Sequence, residues 1–142
     1  MKDIDVAKEY LNKENLSLAV VKNGKVLFKS HEKGIKPIYT LALEGLKGVE
    51  GSSLADRVIG KGAAILCKHI GIKEVYGLLM SQAAMEVLDK GAIKFSYEKS
   101  CPYIKNRDNT GLCPIEKISL ETENVYELLD RIGKFLYPKG IL

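Results

Sequence analysis

No apolar run in this chain approaches the roughly 20 residues that cross a bilayer. The longest, such as Tyr76-Gly-Leu-Leu-Met80, are far shorter, so no membrane partner is expected. Cysteine is scarce and odd in number, three in 142 residues, with no C-x-x-C pair. The opening Met1-Lys-Asp-Ile-Asp5 has no apolar leader. Together these features predict a cytoplasmic protein with thiols rather than a disulfide framework. Histidine is rarer still, His31 and His69 alone. Neither sits in a nucleophile-elbow context, which excludes a Ser-His-Asp triad. Cys67 and His69, two apart near a helix end, point to different faces, so zinc-ligand spacing is absent. Lysine outnumbers arginine 19 to 3 without forming a block, and no basic strand is interleaved with aromatics. The formal charge of +4 is spread thinly, and nucleic acid is not an indicated partner.

The chain of 142 residues fits one domain, residues 1–142, long enough to bury roughly two thirds of its unfolded surface. Its hydrophobic content of 46% is ordinary for a globular protein. Ile4, Ala7 and Leu11 recur at helical spacing behind Asp3 or Asp5 as cap. Residues 16–22 and 25–30 are β-rich runs joined by Asn23-Gly24, the signature of a type I′ hairpin. A short helix is expected from Ile38 to Leu46. Ser52 or Ser53 then caps a longer helix, Leu54 to Ile70, closed by Gly71. Gly60 and Gly62 fall inside that helix, each costing on the order of 1 kcal/mol against alanine. A buried strand follows at Glu74–Ser81, a helix at Gln82–Lys90 stopped by Gly91, and an alternating strand at Ala92–Glu98. A helical turn starts near Pro114, and a final helix is expected over about Glu121 to Tyr137. A hairpin feeding β-α-β units implies an α/β domain with a mixed sheet and helices on both faces.

Two constellations carry chemistry. Gly51 to Ala64 lacks the G-x-x-x-x-G-K-[ST] pattern, because residue 55 is Ala and residue 62 is Gly, so a P-loop is excluded. What remains is a serine-capped helix start that favours an anion, with Asp56, Gly60 and Lys61 close behind it. The plainer reading makes Asp56 a helix-end charge and Lys61 a solvated lysine. The second constellation is Cys101 to Glu116. Gly111 is expected to take positive φ within strong turn chemistry. Arg107 can grip a carboxylate or phosphate through two donors, with Asn106 orienting it. Cys113, as the cap of the next helix, gains nucleophilic character from the dipole, with Glu116 three positions on. The plainer reading is a structural loop closed by a Cys101–Cys113 contact or disulfide.

The segments Asp56-x-x-x-Gly60-Lys61-x-Ala63-Ala64 and Asn106-Arg107-x-x-x-Gly111-x-Cys113-Pro114-x-Glu116 resemble a small family of uncharacterised prokaryotic proteins assigned to the cytidine-deaminase-like fold. The resemblance covers nearly the whole chain and implies a three-layer α/β/α sandwich. It does not imply the deaminase reaction, since zinc deaminases carry H-x-E and P-C-x-x-C at two helix starts. The stations expected to correspond, Ser52–Arg57 and Met80–Met85, both lack the ligands. No metal or other cofactor is therefore expected. In such folds the helix starts and the following loop converge on one pocket. The expected lining is Asp56, Lys61, Asn106, Arg107, Cys101, Cys113 and Glu116, around a small anionic or nucleotide-like ligand. Two alternatives stay open: thiol chemistry with Cys113 as nucleophile and Cys101 as resolving partner, and a non-catalytic interaction module or homo-oligomer.

Overall fold

The computed structural model describes residues 1–140. Helix α1 (Asp3–Lys13) is followed by the hairpin β1 (Leu18–Lys22) and β2 (Lys25–Ser30), then α2 (Lys36–Glu44) and β3 (Ser53–Ile59). Next come α3 (Lys61–Ile70), β4 (Glu74–Ser81), α4 (Gln82–Lys90), β5 (Lys94–Cys101), α5 (Pro114–Glu121) and α6 (Val125–Leu136). The sheet runs β2-β1-β3-β4-β5. Strands β3, β4 and β5 are parallel, and the hairpin adds two antiparallel strands on the β3 side. This is the mixed α/β sandwich the sequence pattern implies.

The hairpin forms where Asn23-Gly24 supplies two consecutive positive φ angles, 53° and 77°. Asp3 does not cap α1, whose cap position is Lys2. Its carboxylate instead accepts the Asn23 and Gly24 N–H groups at 2.9 Å each. Those two bonds hold the Asp3 carboxyl below its ordinary range and fasten the turn to the start of α1.

The largest departure from expectation lies at residues 53–59. This stretch is the central strand β3, not the first half of a helix, and no serine caps α3. The cap is Gly60, in extended geometry, and the helix begins at Lys61. A central strand buried on both faces carries no alternation, so Leu54, Ala55 and Ile59 read equally well as a buried helix. The C-terminal end differs too. Helix α5 stops at Glu121, and α6 starts afresh behind Asn124, whose Oδ1 accepts the Tyr126 and Glu127 N–H groups at 3.0 and 3.1 Å.

Two cores flank the sheet. Ile4, Ala7 and Leu11 of α1 pack on Ala19, Val21, Ala55 and Tyr76. The opposite face carries the larger core, where Leu18, Val20, Leu54 and Val75 meet Ile38, Leu66, Leu128 and Ile132. Helix α3 runs through the middle of that layer and meets α5 at Gly62. A Cβ at residue 62 would lie 2.5 Å from Ser119 Oγ and 3.2 Å from Ile115 Cγ2. Ser119 is buried and donates to the Ile115 carbonyl at 2.6 Å. Overpacking therefore outweighs the helix propensity that alanine adds. Gly62→Ala is expected to lose about 1 kcal/mol in urea unfolding. An unchanged or raised midpoint would mean that α5 does not press on α3 there.

Candidate functional site

The parallel strands end on one side of the sheet, at Ile59, Ser81 and Cys101, and α3 and α4 start there. Open α/β sheets take their ligands at such carboxyl ends. The chain from Cys101 to Pro114 folds back over the end of β3 as a tight excursion. A backbone bridge pairs Lys105 with Leu112, Asn106 N–H donates to the Gly111 carbonyl at 2.9 Å, and Cys113 N–H donates to the Ile104 carbonyl at 3.0 Å. Asn106 spends its side chain inside this turn. Its Oδ1 accepts the Thr110 N–H at 3.1 Å and its Nδ2 donates to Thr110 Oγ1 at 3.2 Å. The positive φ falls on Asn109, at 58°, and not on the expected Gly111. Asparagine tolerates that region because its short polar side chain can bond locally.

Glu116 fixes the excursion to the start of α3. It is 2% exposed, and its two carboxylate oxygens accept the Lys61 N–H at 2.8 Å and the Ile104 N–H at 2.6 Å. One buried carboxylate thus satisfies a free donor at the start of α3 and a donor at the base of the loop.

Asp56 is also buried, near the end of β3. Burial pushes its carboxyl up to about 7, against the opposing pull of the Val58 and Arg57 N–H groups and the Arg57 charge. Its Oδ1 accepts Val58 N–H at 3.2 Å. Arg57 ties the end of β3 to α1 and the turn after it, donating to the Leu11 and Leu16 carbonyls at 3.0 and 2.7 Å.

Between these parts opens a cavity of about 850 Å³. Drug-sized and nucleotide-sized ligands occupy cavities of about 300–1,000 Å³. Asp56, Gly60, Asn106, Arg107, Cys113 and Glu116 all line it, so the two sequence segments meet over one hollow. Lys61 and Cys101 do not line it. Lys61 gives its N–H to Glu116 but sends its ammonium to Glu123, 3.6 Å away, in a separate hollow of about 170 Å³. Cys101 is half-buried at the end of β5, its thiol raised by burial and by the nearby Glu116 charge. Cys113 occupies the cap position of α5 without a side-chain cap bond. All three cysteines are free, and burial raises the Cys67 thiol furthest, with the Asp56 charge adding to it.

Sequence reasoning missed Lys33, Lys36 and Lys105, which line the same cavity as Arg107, and the apolar walls from Ile35, Phe135 and Leu136. Those residues come from three separate segments, and lone lysines carry no motif that would single them out. Among the described residues, no three of His, Cys, Asp and Glu gather as a metal site. With α3 starting at Lys61, the station compared with H-x-E moves to Gly60-Lys-Gly-Ala-Ala64, which holds neither His nor Glu.

Residues 6–136 match the family described as TM1506, domain of unknown function (DUF1893). A crystal structure of a DUF1893 family protein (TM1506) from Thermotoga maritima superposes with a TM-score of 0.79 at 26% identity, over 88% of this chain and 84% of that one. A dCMP deaminase from the cyanophage S-TIM5, solved in complex with dCMP and dUMP, aligns more loosely. Its TM-score is 0.46 at 14% identity, over 66% of this chain and 92% of that one. No curated protein matches the sequence.

Proposed function

From the premise that this chain belongs to the DUF1893 family, a membership that fixes no activity, we propose that it binds a small anionic, nucleotide-like ligand in the large cavity. The observation that carries the reading is the joint lining of that cavity by the end of β3, the start of α3 and the Arg107 loop. Arg107 has no hydrogen-bond or ion-pair partner among the described residues, so its five donors are free for a carboxylate or phosphate. Lys33, Lys36 and Lys105 add positive charge to the cavity lining, and Ile35, Ile104 and Phe135 offer apolar surface to a planar body. With its carboxyl near 7, Asp56 both donates and accepts at neutral pH, which suits the mixed donor-acceptor edge of a base. Asn106 holds the turn that presents Arg107, and Glu116 holds the base of the loop to α3. Lys61 and Cys101 take no part.

A thermal-shift screen with nucleoside monophosphates and dicarboxylates tests this reading. At least one compound is expected to raise the midpoint of the wild-type protein. Arg107→Ala is expected to weaken that ligand's binding by about tenfold or more, the worth of a charge-assisted pair. A ligand whose effect survives Arg107→Ala unchanged sits elsewhere.

Thiol chemistry at Cys113 is the second reading, favoured by its place at the head of α5 and on the cavity wall. Alkylation rate against pH separates the two readings. A Cys113 thiol titrating near the unperturbed value of about 8.5 removes the case for activation. Under either reading Cys67 stays unmodified until the protein unfolds, because it is wholly buried.

A further inference from the structure

Strand β5 is an edge of the sheet, eight residues long and exposed along most of its length. Among the described residues, no backbone hydrogen bond joins residues 94–101 to anything except β4. A long open edge invites pairing with another chain, and proteins usually blunt it with like charge, proline or a bulge. The opposite edge is blunted in that way. Strand β2 carries Lys25 and Lys29 and no acid, so two copies paired about Leu27 would oppose lysine to lysine.

β5 also carries two lysines, Lys94 and Lys99, but it adds an acid, Glu98, that β2 lacks, so its charges can pair across a symmetric contact. Lys94 and Glu98 lie on one face, two positions either side of Ser96, and both are exposed. Phe95 and Tyr97 lie on the other face, one position either side, with Tyr97 44% exposed. Helix α1 packs chiefly on β1, β3 and β4, on the side where Glu98 accepts the Tyr76 O–H at 3.2 Å, while α4 covers β5 on the Phe95 side. Within one strand Lys94 and Glu98 stand about 13 Å apart, too far to pair with each other.

We propose that β5 is the contact surface for a second copy of this chain, the two strands pairing antiparallel about a two-fold axis at Ser96. In that register Lys94 of each protomer lies opposite Glu98 of its partner, and Phe95 lies opposite Tyr97, twice each by symmetry. Opposite charges and aromatic pairs directly across a ladder are the contacts that stabilise it. A two-fold interface of this kind closes on itself, joining the two sheets into one of ten strands and consuming both open edges. The cavity at the end of β3 stays open, because the contact lies two strands away.

Sedimentation equilibrium of the full chain tests the proposal. The wild type is expected to dimerise in the micromolar range. Lys94→Glu, which sets four acids against one another across the axis, is expected to weaken the dimer by about tenfold. Combining Lys94→Glu with Glu98→Lys restores attraction, and only a symmetric β5 contact explains that recovery. As a second measurement, Ser96→Cys is expected to form an interchain disulfide on mild oxidation, at a rate the native thiols do not match. A wild type that stays monomeric at the highest concentration reached overturns the proposal. So does a dimer that Lys94→Glu leaves unchanged, or a double variant no tighter than the single one.

Discussion

Asp56→Asn should make the protein more stable at pH 8, while leaving its stability at pH 4 nearly unchanged. The Asp56 carboxyl is raised from its ordinary value of 3.8 to about 7, chiefly by burial. Between those two values the folded chain keeps a proton that the unfolded chain has released. Stability therefore falls as pH rises through this window and levels off above about 7. A tenfold change in proton affinity corresponds to about 1.4 kcal/mol, so the full rise sets a ceiling of roughly 4 kcal/mol. Water entering the cavity lowers that cost, and a gain of about 2 kcal/mol at pH 8 is the expected result. Asparagine keeps an oxygen to accept the Val58 N–H and carries no charge to bury. Urea unfolding at pH 4 and pH 8, on both proteins, reads the difference. Parallel stability-pH profiles would mean that Asp56 is solvated through the open cavity.

Glu116→Ala should be the most damaging single change in the 101–116 segment. It leaves the Lys61 and Ile104 N–H groups without acceptors in a buried place and cuts both bonds that tie the loop base to α3 through this carboxylate. Each N–H left without an acceptor costs about 1–3 kcal/mol, so a loss of about 2–5 kcal/mol is expected. Glu116→Gln retains one neutral acceptor and should lose roughly half as much. Hydrogen exchange locates the effect: the Ile104 and Lys61 amides should lose protection first, ahead of the core strands. If Glu116→Ala unfolds at the wild-type midpoint, the carboxylate does not join the loop to α3.

What the sequence made legible follows from how local each signal was. The hairpin needed only Asn23-Gly24 between two β-rich runs, and β4 and α4 were bounded by Gly71, Ser81 and Gly91 within a few residues of their ends. Strand β3 was hidden because it is covered on both faces, so Leu54, Ala55 and Ile59 show neither strand nor helix period. The two glycines that count as penalties inside a helix were the readable sign of the join, since Gly60 ends the strand and Gly62 admits α5. The meeting of Gly60 with Arg107 was implied only by the resemblance to the deaminase-like fold, and Asp56 stands on a strand and not on a helix. The lysines at 33, 36 and 105 were not legible, because only the β2–α2 connection and the loop excursion bring them to one cavity wall. Lys61 misled for a related reason. One residue past the cap, its N–H faces Glu116 while its side chain leaves on the other side of the helix toward Glu123.

An amide-resolved titration of the wild-type protein with nucleoside monophosphates tests the shared hollow most directly. Shifts should gather at Gly60, Gly62 and Ala63, at Lys105 to Arg107 and at Cys113, three stretches far apart in the chain. Shifts confined to the small hollow beside Gln82 and Lys90, or none with any compound, would contradict it.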